Sequence, residues 1–348
     1  MERKPLKVQE AIQKIHEKNF TPVYLVLGTE EYLQKQIRTA FLESFVIEEG
    51  DLNFSQFDME EDSLGAVLDE AESVPFFGDQ RLIFVETPYF LTAEKKTNAP
   101  EQPIDSFLDY LKQPIDSSIL VFFANYEKLD ERKKVVKQLK KASTIIEVQP
   151  LKEAEVRRYL QQTIDNEGIF MSREAFELFI RLTDADLSKS MREFDKIKLF
   201  ATESKKVTVK DIEQLVPKTL EHNIFDLTND LLAGNAEKAL RLYEDLHTQG
   251  EETIKINAIL ISQIRLLLQT AILIKNGYTQ GDITKTIGAH PYRVKLAVQQ
   301  LRKLDINSLS SIYDELIEND YLVKSGQAEK EFTFQLFLLK TSAKQKRA

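Results

Sequence analysis

The chain has no cysteine, no tryptophan and only four histidines among its 348 residues. The absence of cysteine excludes disulfides, thiolate nucleophiles and cysteine-based zinc sites, and it fits a reducing compartment such as the cytoplasm. The histidines (His16, His222, His247 and His290) are scattered and do not have the spacing of metal ligands. We therefore expect no bound metal, no cofactor and no histidine-based catalytic site.

Long apolar runs are scarce as well. No uninterrupted apolar run approaches 18 residues and the N-terminus does not resemble a leader, so the sequence predicts neither a membrane-spanning helix nor secretion. A hydrophobic content of 42% with 30% charged residues is typical of a soluble globular protein. The net charge of −9 argues against a protein that only coats nucleic acid, although it leaves room for a local basic face.

The first 150 residues alternate between the periodicities of strands and helices. Three of the strand-like segments are apolar throughout, which is typical of a parallel sheet covered by helices on both faces. The predicted strands are 23–27, 53–59, 81–86, 119–124 and 144–148. After Pro150 the pattern is helical to the end of the chain. We predict an α/β domain with a five-stranded parallel sheet (1–149), then an all-α lid (150–215) and an all-α third domain (216–348).

Residues 20–33 have the pattern of a nucleotide-binding strand, glycine turn and helix, but without the groups that hold phosphate. A phosphate loop needs several glycines, a lysine and a Ser or Thr, so that N–H groups and an ammonium surround the anion. Here Gly28 stands alone, and no lysine follows at the required spacing. Thr29 is a predicted N-cap, and Glu30 and Glu31 suit the positive helix end. The protein's own acids thus fill the anion site, and we expect no bound nucleotide.

Two further positions fit this interpretation. The strand that would carry a paired Asp-Glu for magnesium ends in Glu86 and Thr87, so only one carboxylate is present. Asn125 follows the strand 119–124, where it is either a polar sensor of phosphate or a cap of the next turn. We find no paired carboxylates or nucleophile–base arrangement, and therefore expect no catalysis.

The segment 73–79 (SVPFFGD) breaks a predicted helix over 64–72 in which Leu64, Val67 and Leu68 face inward. Pro75 costs about 3 kcal/mol inside a helix, so the helix should end there. Phe76 and Phe77 then lie in a short turn before the strand 81–86. Both rings either pack into the core or point outward as an aromatic anchor for a partner.

Two other segments suggest nucleic acid. The predicted helix over 131–141 projects Lys133, Lys134, Lys137 and Lys141 outward, which indicates either a solvated face or a sequence-independent contact with DNA. Residues 278–301 have the order of a helix-turn-helix, and this permits a DNA-binding regulator as an alternative function. An active ATPase is the other alternative, and it depends on the turn at Gly28.

Five segments in this order resemble the delta subunits of bacterial DNA polymerase III clamp loaders, which belong to the AAA+ class. They are 22–33 (PVYLVLGTEEYL), 74–86 (VPFFGDQRLIFVE), 185–201 (ADLSKSMREFDKIKLFA), 224–235 (IFDLTNDLLAGN) and 289–301 (AHPYRVKLAVQQL). The resemblance extends over essentially the whole chain. It implies a RecA-like first domain, a helical lid and a helical collar through which loader subunits associate.

The resemblance also implies a function. A delta subunit binds the ring-shaped sliding clamp (the beta subunit) and opens it, so that a loader containing delta prime and tau/gamma subunits places it around primed DNA. ATP is bound by the neighbouring subunits and not by delta. Phe76 and Phe77, with Val74 and Pro75, match the turn that delta subunits insert into a hydrophobic pocket of the clamp. The collar assignment disfavours the DNA-binding regulator.

Overall fold

A computed structural model of the chain describes residues 4–47, 51–76, 78–94, 96–97, 99–302, 304 and 306–345. These residues form two compact units. The first extends to Val156 and includes Asp186–Arg192, and the second comprises Arg157–Ala185 and continues from Glu193. The division into three domains at residues 149 and 215 remains a prediction.

The first unit is an α/β structure in which strands and helices alternate. Its elements in chain order are β1 (Leu6–Lys7), α1 (Val8–His16), β2 (Val23–Leu27), α2 (Glu31–Phe45), β3 (Phe54–Asp58), α3 (Leu64–Glu72), β4 (Arg81–Glu86), a 3₁₀ turn (Tyr89–Leu91), α4 (Ile104–Tyr110), β5 (Ser118–Ala124), α5 (Lys134–Ala142) and β6 (Thr144–Glu147). The predicted bounds of β2, α3 and β4 agree with this structure, whereas α5 begins at Lys134 rather than at residue 131.

The strands of the first unit form one parallel sheet in the order β1-β6-β2-β5-β4-β3. Within the described ranges it has six strands, and the predicted count of five is wrong. The additional strand, β1, contains only Leu6 and Lys7, which is too short for a periodicity to reveal it. The central strands β2 and β5 are almost entirely buried because helices cover both faces.

Aromatic rings fill one face of this sheet. The ring of Phe84 in β4 makes edge-to-face contacts with Phe41, Phe54 and Phe123 at centroid distances of 6.3, 5.2 and 5.1 Å. Helices α3, α4 and α5 pack their apolar residues on the other face. Leu64, Val67 and Leu68 of α3 are buried there as predicted. The sheet is therefore a rigid platform for the turns at its two edges.

The second unit is helical apart from a small two-stranded parallel ladder. The elements outside the first sheet are, in chain order, α6 (Glu153–Asn166), β7 (Phe170–Met171), α7 (Arg173–Leu182), α8 (Leu187–Phe200), β8 (Lys206–Val207), α9 (Val209–Leu215), α10 (Leu220–Leu232), α11 (Ala236–Thr248), α12 (Thr253–Lys275), α13 (Gln280–Ile287), α14 (Pro291–Leu301), α15 (Ile306–Lys324) and α16 (Lys330–Gln345). The ladder of β7 with β8 departs from the predicted all-α lid, because two-residue strands leave no recognisable pattern.

Helix α12, with 23 residues, is the longest of the seven helices α10–α16. Among the described residues it is the one helix with the length and apolar composition needed to cross a membrane. The sequence did not reveal it as such, because charged residues interrupt its apolar run. It carries Lys255 and Arg265, and half of its most apolar window is buried within the protein. Residues such as Leu260, Ile264 and Leu267 pack in the hydrophobic core of α10–α16. Buried core helices satisfy the same criterion, so it is weak support for a membrane span.

Candidate functional site

The turn after β2 lies at the carboxyl edge of the parallel sheet, where nucleotides bind in related α/β folds. Gly28 has a φ of +141°, a conformation that favours glycine. A Cβ atom built on Gly28 would lie 2.3 Å from both the carbonyl carbon and oxygen of Val148 and 2.6 Å from the nitrogen of Gln149. The backbone after β6 therefore occupies the space beside Gly28, and only glycine permits this approach.

Two of the N–H groups of this turn are bonded within the protein. The Gly28 N–H donates to the Ala124 carbonyl (3.2 Å) and the Glu30 N–H donates to the Val148 carbonyl (2.9 Å). In a phosphate loop such groups surround the anion. Thr29 is not the N-cap that the sequence suggested. Glu30, with extended backbone angles, takes that position without a capping side-chain bond, so α2 starts one residue later.

The Glu30 side chain is buried at the start of α2, with 6% of the residue exposed, whereas Glu31 points to solvent. The hydroxyl of Ser188, 158 residues away in sequence, donates to Glu30 Oε1 (2.5 Å) and accepts the Tyr32 N–H (2.9 Å). Burial raises the pKa of Glu30, as does the nearby Asp186, while the Ser188 hydrogen bond opposes the shift. A carboxylate thus lies where a phosphate loop would hold its anion.

Glu86 and Asn125, the two other polar residues that the sequence placed at this edge, also have partners within the protein. Glu86, the single carboxylate at the end of β4, forms an ion pair with Arg38, whose guanidinium also lies 4.3 Å from the ring centroid of Phe123. The Gln34 amide donates to the Gly28 carbonyl (2.6 Å) and to Asn125 Oδ1 (3.3 Å). Asn125 therefore has a protein partner, and Glu86 is neutralised by an arginine.

The segment from Ser73 to Gln80 lies at the opposite, amino edge of the sheet, because it leads directly into β4. Helix α3 ends at Glu72, before Pro75, as the sequence predicts. The side chains that follow are exposed: Val74 is 84% and Phe76 65% exposed. Phe76 is therefore not a core residue. Phe77, the second predicted anchor, lies outside the described residues.

Two buried side chains form hydrogen bonds to the backbone of this turn. The Phe76 N–H donates to Oδ1 of Asn53 (2.8 Å), and Asn53 is 8% exposed. Arg81, 1% exposed, donates to the carbonyls of Glu70 (2.9 Å) and Val74 (3.3 Å). The neighbouring Gln80 makes only a long contact of 3.5 Å with a backbone carbonyl. An exposed aromatic side chain therefore sits on a well-braced turn.

The predicted basic face is only partly available. Lys134, Lys137 and Lys141 on α5 are exposed, and none of them forms an ion pair with another described residue. Lys133 precedes the helix, and its ammonium donates to the carbonyl of Phe90 (3.0 Å). The exposed cations of α5 are therefore these three, with Lys133 mainly a structural contact.

The segment 278–301 does form two helices joined by a short turn. Thr279 and Asp282 form a capping box at the start of α13, and Gly288 ends it in a left-handed conformation. In α14, the helix that would read DNA, Val294 and Ala297 are buried, and Arg293 donates to the amide of Gln263 on α12 (3.3 Å). A recognition helix needs its cations free for the groove. The packing of α14 thus gives the regulator alternative no support.

Among the described residues, no group of three or more His, Asp or Glu side chains is arranged to hold a metal ion. Sequence reasoning missed Ser188 and Arg38 altogether, because their partners are distant in sequence. Asn53 was missed for the same reason. Arg81 carried one signal: a cation that opens an otherwise apolar strand is unusual and requires a partner if it is buried.

Comparisons with known proteins give one consistent family. The descriptions "DNA polymerase III, delta subunit" and "DNA polymerase III delta subunit, C-terminal domain" match residues 24–149 and 221–341. DNA polymerase III subunit delta of Bacillus subtilis (strain 168) is 37% identical over 319 residues, 91% of this chain and 92% of that protein. A probable DNA polymerase III subunit delta of Aquifex aeolicus (strain VF5) is 21% identical over 272 residues, 76% and 75% of the two chains.

A solved structure agrees with the sequence matches. The Bacillus subtilis DNA clamp loader delta protein superposes with a TM-score of 0.71 at 34% identity, covering 97% of this chain and 99% of that chain. The superposition therefore includes both the α/β unit and the helical C-terminal region. The chain belongs to the DNA polymerase III delta subunit family.

Proposed function

We propose that this chain is the clamp-loader subunit that binds the sliding clamp and opens it for loading onto primed DNA in the bacterial cytoplasm. Membership of the delta family gives the role in clamp loading. The observation that carries the finer proposal is the exposed, braced turn at Val74–Phe76. Phe76 is its anchor, and Phe77, next in sequence, is the second anchor that the family resemblance implies.

The energetics of such an anchor are favourable. Burying one Phe side chain in a partner's pocket contributes about 2–3 kcal/mol, and central aromatic anchors typically cost about 2 kcal/mol or more when truncated. Because the turn is already ordered, little additional entropy is lost on binding. Ring opening requires in addition that the chain bind the open form of the clamp more tightly than the closed form.

The same proposal has the chain act without nucleotide and without catalysis of its own. Its support is the geometry at Gly28: the N–H groups of Gly28 and Glu30 are bonded to backbone carbonyls, the backbone of Val148 lies against the glycine, and the Glu30 carboxyl is buried at the start of α2. The energy of ATP then comes from neighbouring loader subunits, for which tau/gamma and delta prime are the candidates. Lys134, Lys137 and Lys141 are proposed to face the phosphate backbone of DNA in the assembled loader.

Titration calorimetry of the full chain with purified sliding clamp, with and without ATP, tests this proposal. We expect binding that does not depend on ATP, and no heat from ATP alone. Phe76→Ala should weaken clamp affinity by about 30-fold, from a loss of about 2 kcal/mol. Phe170→Ala is the matched control, because Phe170 is 67% exposed and lies in the other unit. Equal clamp affinity of Phe76→Ala and wild type contradicts the assignment of the turn, and ATP bound by the chain alone revives the ATPase alternative.

A further inference from the structure

Arg81 is buried directly beneath the turn that carries Phe76. Its side chain is 1% exposed, although arginine is almost never fully buried unless its charge is paired. The partner is Glu70, whose carboxylate forms an ion pair with Nη1 and also accepts the hydroxyl of Ser55 (3.0 Å). The charge is thus compensated inside the protein, where losing one partner is far more costly than at the surface.

The guanidinium of Arg81 links three successive parts of the chain. Nη1 donates to the carbonyl of Glu70 (2.9 Å), in the last turn of α3. Nη2 donates to the carbonyl of Val74 (3.3 Å), in the exposed turn. The Arg81 Cζ atom lies 5.9 Å from the ring centroid of Phe76, at the outer limit of a cation–π contact. The planar fork of arginine makes these contacts at once, which the ammonium of lysine is not shaped to do.

Asn53 fixes the turn from a second direction. Its Oδ1 accepts the N–H of Phe76 (2.8 Å). Its own backbone is held on both sides, since its N–H donates to Oδ1 of Asp51 (2.8 Å) and its carbonyl accepts the N–H of Leu82 (2.9 Å). Asn53 therefore connects the backbone of Phe76 to strand β4 of the sheet.

The contacts of Arg81 and Asn53 hold a segment that lies outside regular secondary structure. Residues 74–76 and 78–80 belong to neither α3 nor β4, and the hydrogen bonds of helix α3 end with the Ser73 N–H, which donates to the Glu70 carbonyl. An unsupported turn would lose conformational entropy on binding, and this loss would weaken its affinity for a partner. The buried guanidinium and amide remove part of that loss before the partner arrives.

We propose that Arg81 and Asn53 are positioning residues that pre-organise the Val74–Phe76 turn for the sliding clamp. This inference rests on the proposed function, since it assumes that the turn binds the clamp. Neither side chain is accessible to a partner, so both act through the turn that they hold. Their substitution should weaken clamp binding only to the extent that this turn contributes to it.

A double-mutant cycle on the full chain tests this mechanism. Arg81→Lys keeps the charge beside Glu70 but loses the forked contacts, and it should weaken clamp affinity about tenfold. Asn53→Ala should weaken it about fivefold. In the Phe76→Ala background each further loss should be smaller, because only the proposed anchor Phe77 then still benefits from an ordered turn. Arg132→Lys is the control, because Arg132 is 85% exposed, and it should leave the affinity unchanged.

Hydrogen exchange measured without clamp gives an independent readout. In Asn53→Ala the Phe76 amide should exchange at least about tenfold faster, while the amides of β4 keep their protection. Wild-type clamp affinity in both Arg81→Lys and Asn53→Ala would overturn the inference. So would equal losses with and without Phe76, which a general loss of stability produces. If Arg81→Lys does not fold, Asn53→Ala carries the test alone. Failure of Phe76→Ala to weaken binding instead refutes the proposed function.

Discussion

Gly28→Ala is expected to destabilise the first unit strongly, although it adds one methyl group. The added Cβ would lie 2.3 Å from the carbonyl carbon and oxygen of Val148, whereas ordinary contacts of this kind are 3.4–4 Å. Both atoms belong to the backbone and lie beside the hydrogen-bonded end of β6, so no flexible side chain can move aside. The turn and the segment after β6 must therefore separate by roughly 1 Å.

The expected loss follows from two terms. Holding alanine at a φ of +141° costs about 1–3 kcal/mol. A separation of this size also breaks the hydrogen bond from the Glu30 N–H to the Val148 carbonyl and strains that from the Gly28 N–H to the Ala124 carbonyl. These contribute about 1–2 kcal/mol together. The free energy of unfolding should then fall by about 2–5 kcal/mol.

Gly78→Ala provides the matched control. Gly78 lies in the same unit and also has a positive φ (+81°), but a Cβ there meets nothing within 4 Å. Its substitution should cost only the backbone strain, about 1–2 kcal/mol. Urea denaturation followed by circular dichroism measures both variants. If Gly28→Ala costs no more than Gly78→Ala, the close approach of Val148 does not explain the glycine, and the turn is not closed as described.

Two further predictions concern charged residues. Burial raises the pKa of Glu30, so the folded chain binds the carboxyl proton more tightly than the unfolded chain does. The free energy of unfolding that Glu30 contributes therefore increases as the pH falls through the folded pKa, and decreases once the carboxyl is ionised. Glu30→Gln should therefore be at least as stable as wild type in denaturant at pH 8, and this difference in stability should shrink toward pH 4.5. A variant that is less stable than wild type at pH 8, and that becomes more stable relative to wild type on acidification, contradicts the direction of the pKa shift. Replacing Lys134, Lys137 and Lys141 with Gln should lower the slope of log affinity against log salt for primed DNA by about 2–3, measured by anisotropy on the assembled loader, with unchanged clamp binding. An unchanged slope would place these lysines away from DNA.

Much of the first unit could be predicted from sequence because its strands are buried on both faces. Residues 23–27 and 82–85 are continuously apolar, which is typical of buried parallel strands, and the predicted bounds 23–27 and 81–86 agree with the structure. Helix α3 was equally clear, because Leu64, Val67 and Ala71 repeat at helical spacing and Pro75 ends the pattern. The acids that follow Gly28 predicted a turn that does not bind nucleotide, which stays a prediction, but they gave no sign of the approach of Val148.

The remaining features depend on contacts between residues far apart in sequence. Nothing near Ser188 indicates that its hydroxyl bonds to Glu30. The predicted N-cap at Thr29 was wrong for a similar reason. The Val148 carbonyl accepts the Glu30 N–H, and Glu30 rather than Thr29 is the N-cap of α2. The partners of Arg81 in α3 and in the turn could not be chosen from spacing alone.

Strand β4 connects the edge that we propose to be without nucleotide with the turn that we propose to bind the clamp. Its amino end carries Arg81, which holds the turn of Phe76, and its carboxyl end carries Glu86, which Arg38 neutralises. The two ends are about 16 Å apart at the rise of a strand. The contacts at the two edges share no side chain, so the phosphate edge can be closed by the backbone of Val148 without disturbing the opposite edge. Under the proposed function no nucleotide acts on this strand, and we expect the turn at its amino end to keep the same conformation with and without ATP.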